Sequence, residues 1–545
     1  MRYSAITTFL LRFFIMSVLV LVTSSAGAAT TIPFTVTMSE AVNITGVPQI
    51  VLDVDGTTRY ATYTSGSGSS SLTFTYNATI GDIDLNGISI ASTSLDLNGG
   101  AVTDLNGNTM SNLTFTAPAN MANVNINYPS LSMDFTADND GRFVLSGTVY
   151  NDFTSFLSAS GGSFTRSSTA TYFDSSGTLQ TAASNIPRFD YDPATLAPKG
   201  LLLEEPRINR FYDSEDLTTT NYITERASVV SNATSAPTGL MTADKLVDDT
   251  NNGRHIIYGV NISVTAGDVF TGSVFVKPAE QEYVQLIFSS GAFTGSTFSN
   301  FHLTGAGTVT YNAADVIDSS ITYVGNGWYR CTLTTTAVNT TNDTTVFVAL
   351  LNNSDIQSRT PGYVGTGTGL YVWGFQSEIG GHVTSYIPTA GAFVTRNADQ
   401  LTVPVGTWYN QSAGTMMNDF SWLTEDIGNS PTFARFDDTT ANNRWNITYI
   451  QGSSVMRTIG TNGGASQGSW SVAYPSTGSA KIAFAQAANN ANSAFDGALQ
   501  TADSSWSPPT VTRLNLLGLQ ANKWHKKIKY YPSRVSDTQL QLLSQ

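Results

Sequence analysis

The chain has 545 residues, one cysteine and a formal net charge of −14 from 26 basic and 40 acidic side chains. That length exceeds a single hydrophobic core, so several domains are expected. The acidic balance argues against a general nucleic-acid binder, which needs a basic footprint, and the lone Cys331 excludes an intrachain disulfide and a cysteine metal cluster. Charged residues make up 12%, about half the usual share of roughly 25%. Ser, Thr, Asn and Gly fill the difference, a composition that suits short strands and tight bends. No long stretch carries a 3.6-residue apolar period, so an all-β fold is expected.

At the N-terminus Arg2 and Arg12 precede an apolar run over residues 13–22, and Ala26-Gly27-Ala28 supplies a small-residue cleavage site. This is the order of a secretory signal, placed at 1–28. The run is shorter than the ~20 apolar residues of a membrane span, which favours cleavage over an anchor. A secreted or surface-exposed mature chain is expected, with a periplasmic location as the alternative. No second apolar span follows, so no membrane span is expected in the mature chain.

Residues 30–127 form the first expected module. Phe34, Val36 and Met38 alternate, as do Ile50, Leu52 and Val54, and Asp55-Gly56 marks a hairpin turn. Leu72, Phe74 and Tyr76 alternate again. About seven short strands with regular turns match an immunoglobulin-like sandwich. Ser39-Glu40-Ala41-Val42 and Asp104-Leu105-Asn106-Gly107-Asn108 resemble the bacterial Ig-like repeats of adhesins and hemagglutinin-type surface proteins. Residues 128–213 are less regular and are read as a β-rich connecting segment. They carry Pro187-Arg188-Phe189-Asp190-Tyr191-Asp192 and Gly200-Leu201-Leu202-Leu203-Glu204-Glu205. This order resembles the segment that precedes the jelly roll in phage tail-fibre and host-recognition proteins.

Residues 214–400 are read as a jelly-roll sandwich. Gly325-Asn326-Gly327-Trp328-Tyr329-Arg330-Cys331, followed by the 371–395 stretch YVWGFQSEIGGHVTSYIPTAGAFVT, resembles the closing strands of a phage tail-fibre-type carbohydrate-binding module. That resemblance implies glycan partners and surface binding. Residues 401–545 resemble a concanavalin-like, laminin-G-like jelly roll. Phe495-Asp496-Gly497 is a hairpin turn, and Ser536 with Gln539 makes a capping box for a last helical turn bearing Leu540 and Leu543.

Sugar rings stack on exposed aromatic faces while polar neighbours fix the hydroxyls. Tyr371, Tyr386, Trp408, Tyr409, Trp470 and Trp506 are the candidate ligand-binding residues, each open also to core packing. Trp328 and Trp373 sit in strand motifs and read as core. Asp82, Asp84 and Asn86 make the front half of a calcium loop, alternate oxygens around a bend. Its closing bidentate Glu is missing, because Thr93 stands there, and a polar turn is the alternative reading. Glu215 and Glu378 are implied as calcium ligands by the jelly-roll resemblance, with surface carboxylates as the alternative. Calcium is the only cofactor considered.

Catalytic residues are not expected. Adjacent strand residues point to opposite faces, so Glu204-Glu205 cannot flank one sugar bond as a glycosidase pair does. One is expected to be exposed and the other paired to Arg207 or Arg210. Cys331 reads as a buried, inert thiol. Lys523, Lys526, Lys527 and Lys529 form a basic run, with Lys523, His525, Lys527 and Lys529 on one strand face that is read as solvated. The expectation is therefore a non-catalytic secreted glycan-binding or adhesion protein and not an enzyme. The alternatives are a phage-derived fibre or appendage subunit, and the accessory part of a polysaccharide-degrading enzyme.

Overall fold

A computed structural model describes residues 15–17, 31–118, 121–136, 142–259, 262–353, 356–423, 430–475 and 478–545. The signal assigned to 1–28 lies outside these, apart from a short Ile15–Ser17 strand. The chain is all-β, with two short α-helices among the described residues, Phe153–Ser160 and Asp537–Leu543. Among the described residues no helix is long and apolar enough to cross a membrane.

The first core forms where alternation predicts it. In Thr31–Thr45 the side chains of Ile32, Phe34, Val36 and Met38 are buried, and Leu72, Phe74 and Tyr76 of Ser69–Asn77 meet them from the adjacent antiparallel strand. Asp55 and Gly56 both take positive φ, 47° and 77°, between Gln49–Val54 and Thr57–Ser65. That is the left-handed pair a two-residue hairpin needs. Asp496 and Gly497 repeat it later, with φ of 45° and 80°.

The middle of the chain makes two six-stranded antiparallel sheets. One is centred on Tyr283–Phe288 and Val346–Leu351, the other on Val269–Pro278, Tyr329–Thr336 and Gly369–Ile379. Between them lie Phe270, Val274, Leu286, Cys331, Leu333 and Phe375. Cys331 is fully buried, and burial pushes its thiol well above the ordinary range, as an inert core thiol requires.

The last two sheets combine strands from residues 131–203 with strands from residues 400–531. Asn522–Tyr531 is the spine of the larger one. On one side it pairs with Ala413–Leu423. On its other side two short strands share it, Leu131–Asp134 against residues 527–530 and Pro198–Leu203 against residues 523–525. Ser163–Thr165 likewise joins the facing sheet through Gln400–Pro404. Residues 131–203 therefore supply strands to the sandwich that 401–545 completes, and Phe135, Phe143, Phe153 and Phe156 pack into its core.

The spine corrects the reading of the basic run. Its register against Ala413–Leu423 shifts between Asp419, opposite Lys527, and Phe420, opposite His525. One residue, Lys526, is the extra one, and a one-residue bulge exchanges the faces of everything beyond it. Lys523 and His525 consequently point inward with Ile528 and Tyr530, all fully buried. The Lys523 ammonium donates to the carbonyls of Thr432, Leu517 and Leu519 at 2.6–2.8 Å. Strict alternation put these residues on a solvated face because it carried no bulge.

His525 is neutral in this setting. Burial, reinforced by Lys523, lowers its imidazole from the ordinary 6.5 to about 3. A base depressed in the folded state is protonated first in the unfolded chain, so its stabilisation is complete above about 6.5 and is lost as pH falls toward about 3. Melting temperature should drop across that window, and His525→Gln should drop less over the same pH series.

Candidate functional site

Arg188 sits at the centre of a buried network of charged groups. It is fully buried and bridges two carboxylates, Glu204 at 2.7 Å and Asp399 at 2.6 Å, and it also donates to Ser385 Oγ and the Thr171 carbonyl. Arg166 holds the other Asp399 oxygen at 3.0 Å, and Arg396 lies 3.0 Å from Glu204. Ser385 donates to both Glu204 oxygens through its N–H and Oγ–H. Burial alone would push the Glu204 carboxyl up, but the guanidiniums of Arg396 and Arg188 and the Ser385 donors outweigh it and hold it down to about 2. Glu204 was expected to be exposed or paired to a neighbouring arginine. It is neither, while Glu205 does pair with Arg207 at 2.5 Å.

This network fixes one wall of a cleft of about 240 Å³ between the middle sandwich and the corner made by Phe189–Tyr191, Pro198–Leu203 and the spine. Trp524 forms its floor. The Trp524 Nε1–H donates to Asp190 Oδ2 at 2.7 Å, and the Lys199 ammonium lies 3.6 Å from the centre of the indole and 3.4 Å from the same carboxylate. Asp190 also accepts the Phe173 N–H at 2.9 Å. The close approach depends on Gly200, with φ of 105°, where a Cβ would lie 2.1 Å from the His525 carbonyl oxygen. Arg330 and Asn522 close the far side. The arrangement is an apolar pocket with a few fixed polar groups, the mix that binds a sugar-sized ligand.

A larger groove of about 560 Å³ runs between the first module and the C-terminal helix. Its polar groups are one another's partners. Asp55 accepts from the Ser536 N–H and Oγ–H, and Arg59 pairs with Asp82 at 2.6 Å. Gln539 donates to Asn86 and accepts the Leu85 N–H, so the second half of the expected capping box is spent on a joint between modules. Ser536 does cap Gln539 as predicted.

The calcium set does not fit. Asp82 is buried and takes bonds from Arg59, the Tyr76 hydroxyl and the Thr79 N–H. Asp84 accepts the Asp55 N–H. Glu378 is buried and bonded to the Thr384 N–H and hydroxyl, whereas Glu215 accepts from Tyr386. Among the described residues no three His, Cys, Asp or Glu side chains are grouped to hold a metal. Oxygens already spent on N–H and O–H donors are not free to replace a cation's water shell.

The aromatic set is also corrected. Trp408, Tyr409, Trp470 and Trp506 are core residues, with the Trp408, Trp470 and Trp506 indole N–H groups bonded to Pro404 O, Thr501 O and Gln486 Oε1. Tyr386 is buried against Trp373 and lines the cleft, and half-buried Tyr371 lies beneath Lys245. Trp328 and Trp373 are core as expected. The cleft residues missed from sequence are Asp190, Lys199, Arg330, Asn522 and Trp524. Asp190 and Arg330 lie in the two motifs singled out above, Pro187–Asp192 and Gly325–Cys331, and the others carried no local signal.

No protein-family model matches the chain, and no curated protein matches it. Solved structures do. A Trypanosoma rangeli sialidase bound to the inhibitor DANA is 10% identical, covering 59% of this chain and 62% of its own, at a TM-score of 0.22. The GH43 protein BlXynB of Bacillus licheniformis is 9% identical over 56% of this chain and 74% of its own, at 0.18. Domains LG4-5 of the mouse laminin alpha1 chain are 9% identical over 51% and 85%, at 0.16. The match thus spans under two thirds of the length of that sialidase chain. The sialidases and the GH43 protein overturn two expectations, that the chain is a non-catalytic adhesion protein and that it is not an enzyme, and neither is carried further. At these TM-scores the likeness assigns no activity and no site residue to this chain.

Removing one partner from a buried ion network leaves uncompensated charge, which costs about 3–5 kcal/mol. Arg188→Met should therefore lower the denaturation midpoint followed by tryptophan fluorescence. Arg188→Lys should not restore it, because an ammonium cannot bridge two carboxylates as a planar fork does.

Proposed function

We propose that the chain is the substrate-holding accessory part of a polysaccharide-degrading enzyme, and that the Trp524 cleft receives a sugar unit of the polymer. The observation that carries this reading is the Trp524–Asp190–Lys199 arrangement. An indole is pinned by its N–H to a carboxylate and flanked by an ammonium, inside a pocket that is otherwise mainly apolar. Such a site offers charged acceptors and donors to sugar hydroxyls beside the part of Trp524 that lines the cleft, that residue being 8% exposed with Lys199 over its ring. Its volume of about 240 Å³ lies below the roughly 300–1,000 Å³ of larger ligand pockets, which suits one ring with its neighbours outside.

Around this site we read 30–127 as an Ig-like spacer, 214–400 as a jelly roll of the tail-fibre type and 401–545 as a laminin-G-like jelly roll completed by strands from 128–213. Export through the 1–28 signal belongs to the same reading, since polysaccharide substrates lie outside the cell. Calcium is left out of it, because Asp82 and Glu378 already accept protein donors and no three His, Cys, Asp or Glu side chains are grouped to hold a metal among the described residues.

The test is co-sedimentation with a panel of insoluble polysaccharides, with reducing-end release followed in the same tubes. Binding to at least one polymer is expected. Trp524→Ala should weaken it by at least about tenfold, as loss of an aromatic platform does, with Lys199→Met as a milder companion. Failure of the folded wild-type chain to bind any polymer, or undiminished binding by both variants, would contradict the reading.

A further inference from the structure

We propose that the cleft selects a carboxylate-bearing sugar, with Arg330 receiving the carboxylate and Asn522 a ring hydroxyl. This rests on the glycan reading of the same cleft and adds the class of sugar.

Four of the charged groups lining the cleft already have strong partners. Lys199 lies 3.4 Å from Asp190. Glu204 is held by Arg188 and Arg396. Asp192 accepts the Ala194 and Thr195 N–H groups of its own turn. Arg330 differs. It stands in Tyr329–Thr336 opposite Phe275, with its guanidinium carbon 5.1 Å from the centre of that ring. It donates to the Thr384 carbonyl at 2.7 Å and to Ser273 Oγ at 3.1 Å, both neutral. Its Nε–H has no acceptor among the described residues, and no carboxylate pairs with it within 4.0 Å. A guanidinium carries five N–H donors in a planar fork, so most of its capacity is unspent.

A cation in such a place normally brings its own counter-charge, because burying charge without one is unfavourable. Burial pulls the Arg330 guanidinium down to about 10, against the more distant fields of Glu378 and Glu204. Arg330 therefore lacks a paired anion of its own, and a planar carboxylate is the anion that a guanidinium fork matches.

Asn522 supplies the second requirement. It is 3% exposed, and its amide N–H bonds the Val383 carbonyl at 2.9 Å, while its Oδ1 has no donor among the described residues. Buried amide oxygens are nearly always satisfied. A neutral sugar would satisfy Asn522 and leave Arg330 uncompensated, and a simple anion would do the reverse. A sugar acid presents both an acceptor carboxylate and donor hydroxyls on one ring.

The experiment is calorimetric titration of the full chain with trigalacturonic acid and with its methyl ester, which keeps the ring and removes the charge. The acid should bind at least tenfold tighter, 1.4 kcal/mol. Arg330→Gln should abolish that preference, so that acid and ester bind with the same affinity. Asn522→Asp places a negative charge in the cleft and should weaken the acid more than the ester, which keeps the test readable if Arg330→Gln fails to fold. Equal binding of acid and ester by the wild type, or a preference that survives both substitutions, would overturn the sugar-acid inference and leave the glycan cleft standing. Binding of neither probe, together with no binding to the polysaccharide panel, would remove the glycan reading and this inference with it.

Discussion

The bridge that Arg188 makes between Glu204 and Asp399 is the interaction on which the rest of the molecule depends. Its three members come from chain segments about 200 residues apart, before and after the middle sandwich. Because all are buried, the pair cannot be exchanged for water, and each must find the other for the chain to close. Gly518 shows how tight that closure is. A Cβ there would lie 2.4 Å from the Glu204 carbonyl and 2.9 Å from that of Asp399. The middle sandwich is thus an insertion whose entry and exit are tied at one point, and the cleft opens beside that tie. Ser385 belongs both to the network and to the cleft lining. The geometry of the pocket is consequently set by charge pairing beneath it more than by its own contacts.

Much of the local fold is legible in the sequence, for physical reasons that act over a few residues. Alternation at Phe34, Val36 and Met38 matches a half-buried strand, and Asp55-Gly56 and Asp496-Gly497 carry the left-handed turns that only such residues take easily. Ser536 caps the last helix as its spacing predicts. What is not legible is pairing over hundreds of residues. Nothing local in Leu131–Asp134 or Pro198–Leu203 says that both will share Asn522–Tyr531, so residues 128–213 read as a connector although they supply strands. The bulge at Lys526 is invisible for the same reason, since it is a property of two strands together. It alone reverses the faces of Lys523 and His525.

The site is less legible than the fold. Aromatic residues near predicted turns suited both a surface platform and the core, and Trp408, Tyr409, Trp470 and Trp506 all went inward, where large rings contribute most by burial. Strict alternation places Trp524 opposite Lys523 and His525, on the face of Ile528 and Tyr530, and the bulge at Lys526 separates it from them. Asp82 and Asp84 have the spacing of a metal loop, yet their oxygens serve Arg59, Tyr76 and backbone N–H groups. A carboxylate pattern specifies a bend and an acceptor; which donor fills it depends on what the fold brings near. Arg330 and Asn522 illustrate the converse, because their unspent hydrogen-bonding capacity exists only in the folded environment.

The most direct test of this account is amide hydrogen exchange of the wild-type chain, followed by mass spectrometry on peptides covering 198–203 and 522–531. If the Arg188 tie and the shared spine make one cooperative unit, both peptides exchange at the same slow rate and through the same opening. Rapid local exchange in 198–203 while 522–531 remains protected would contradict it.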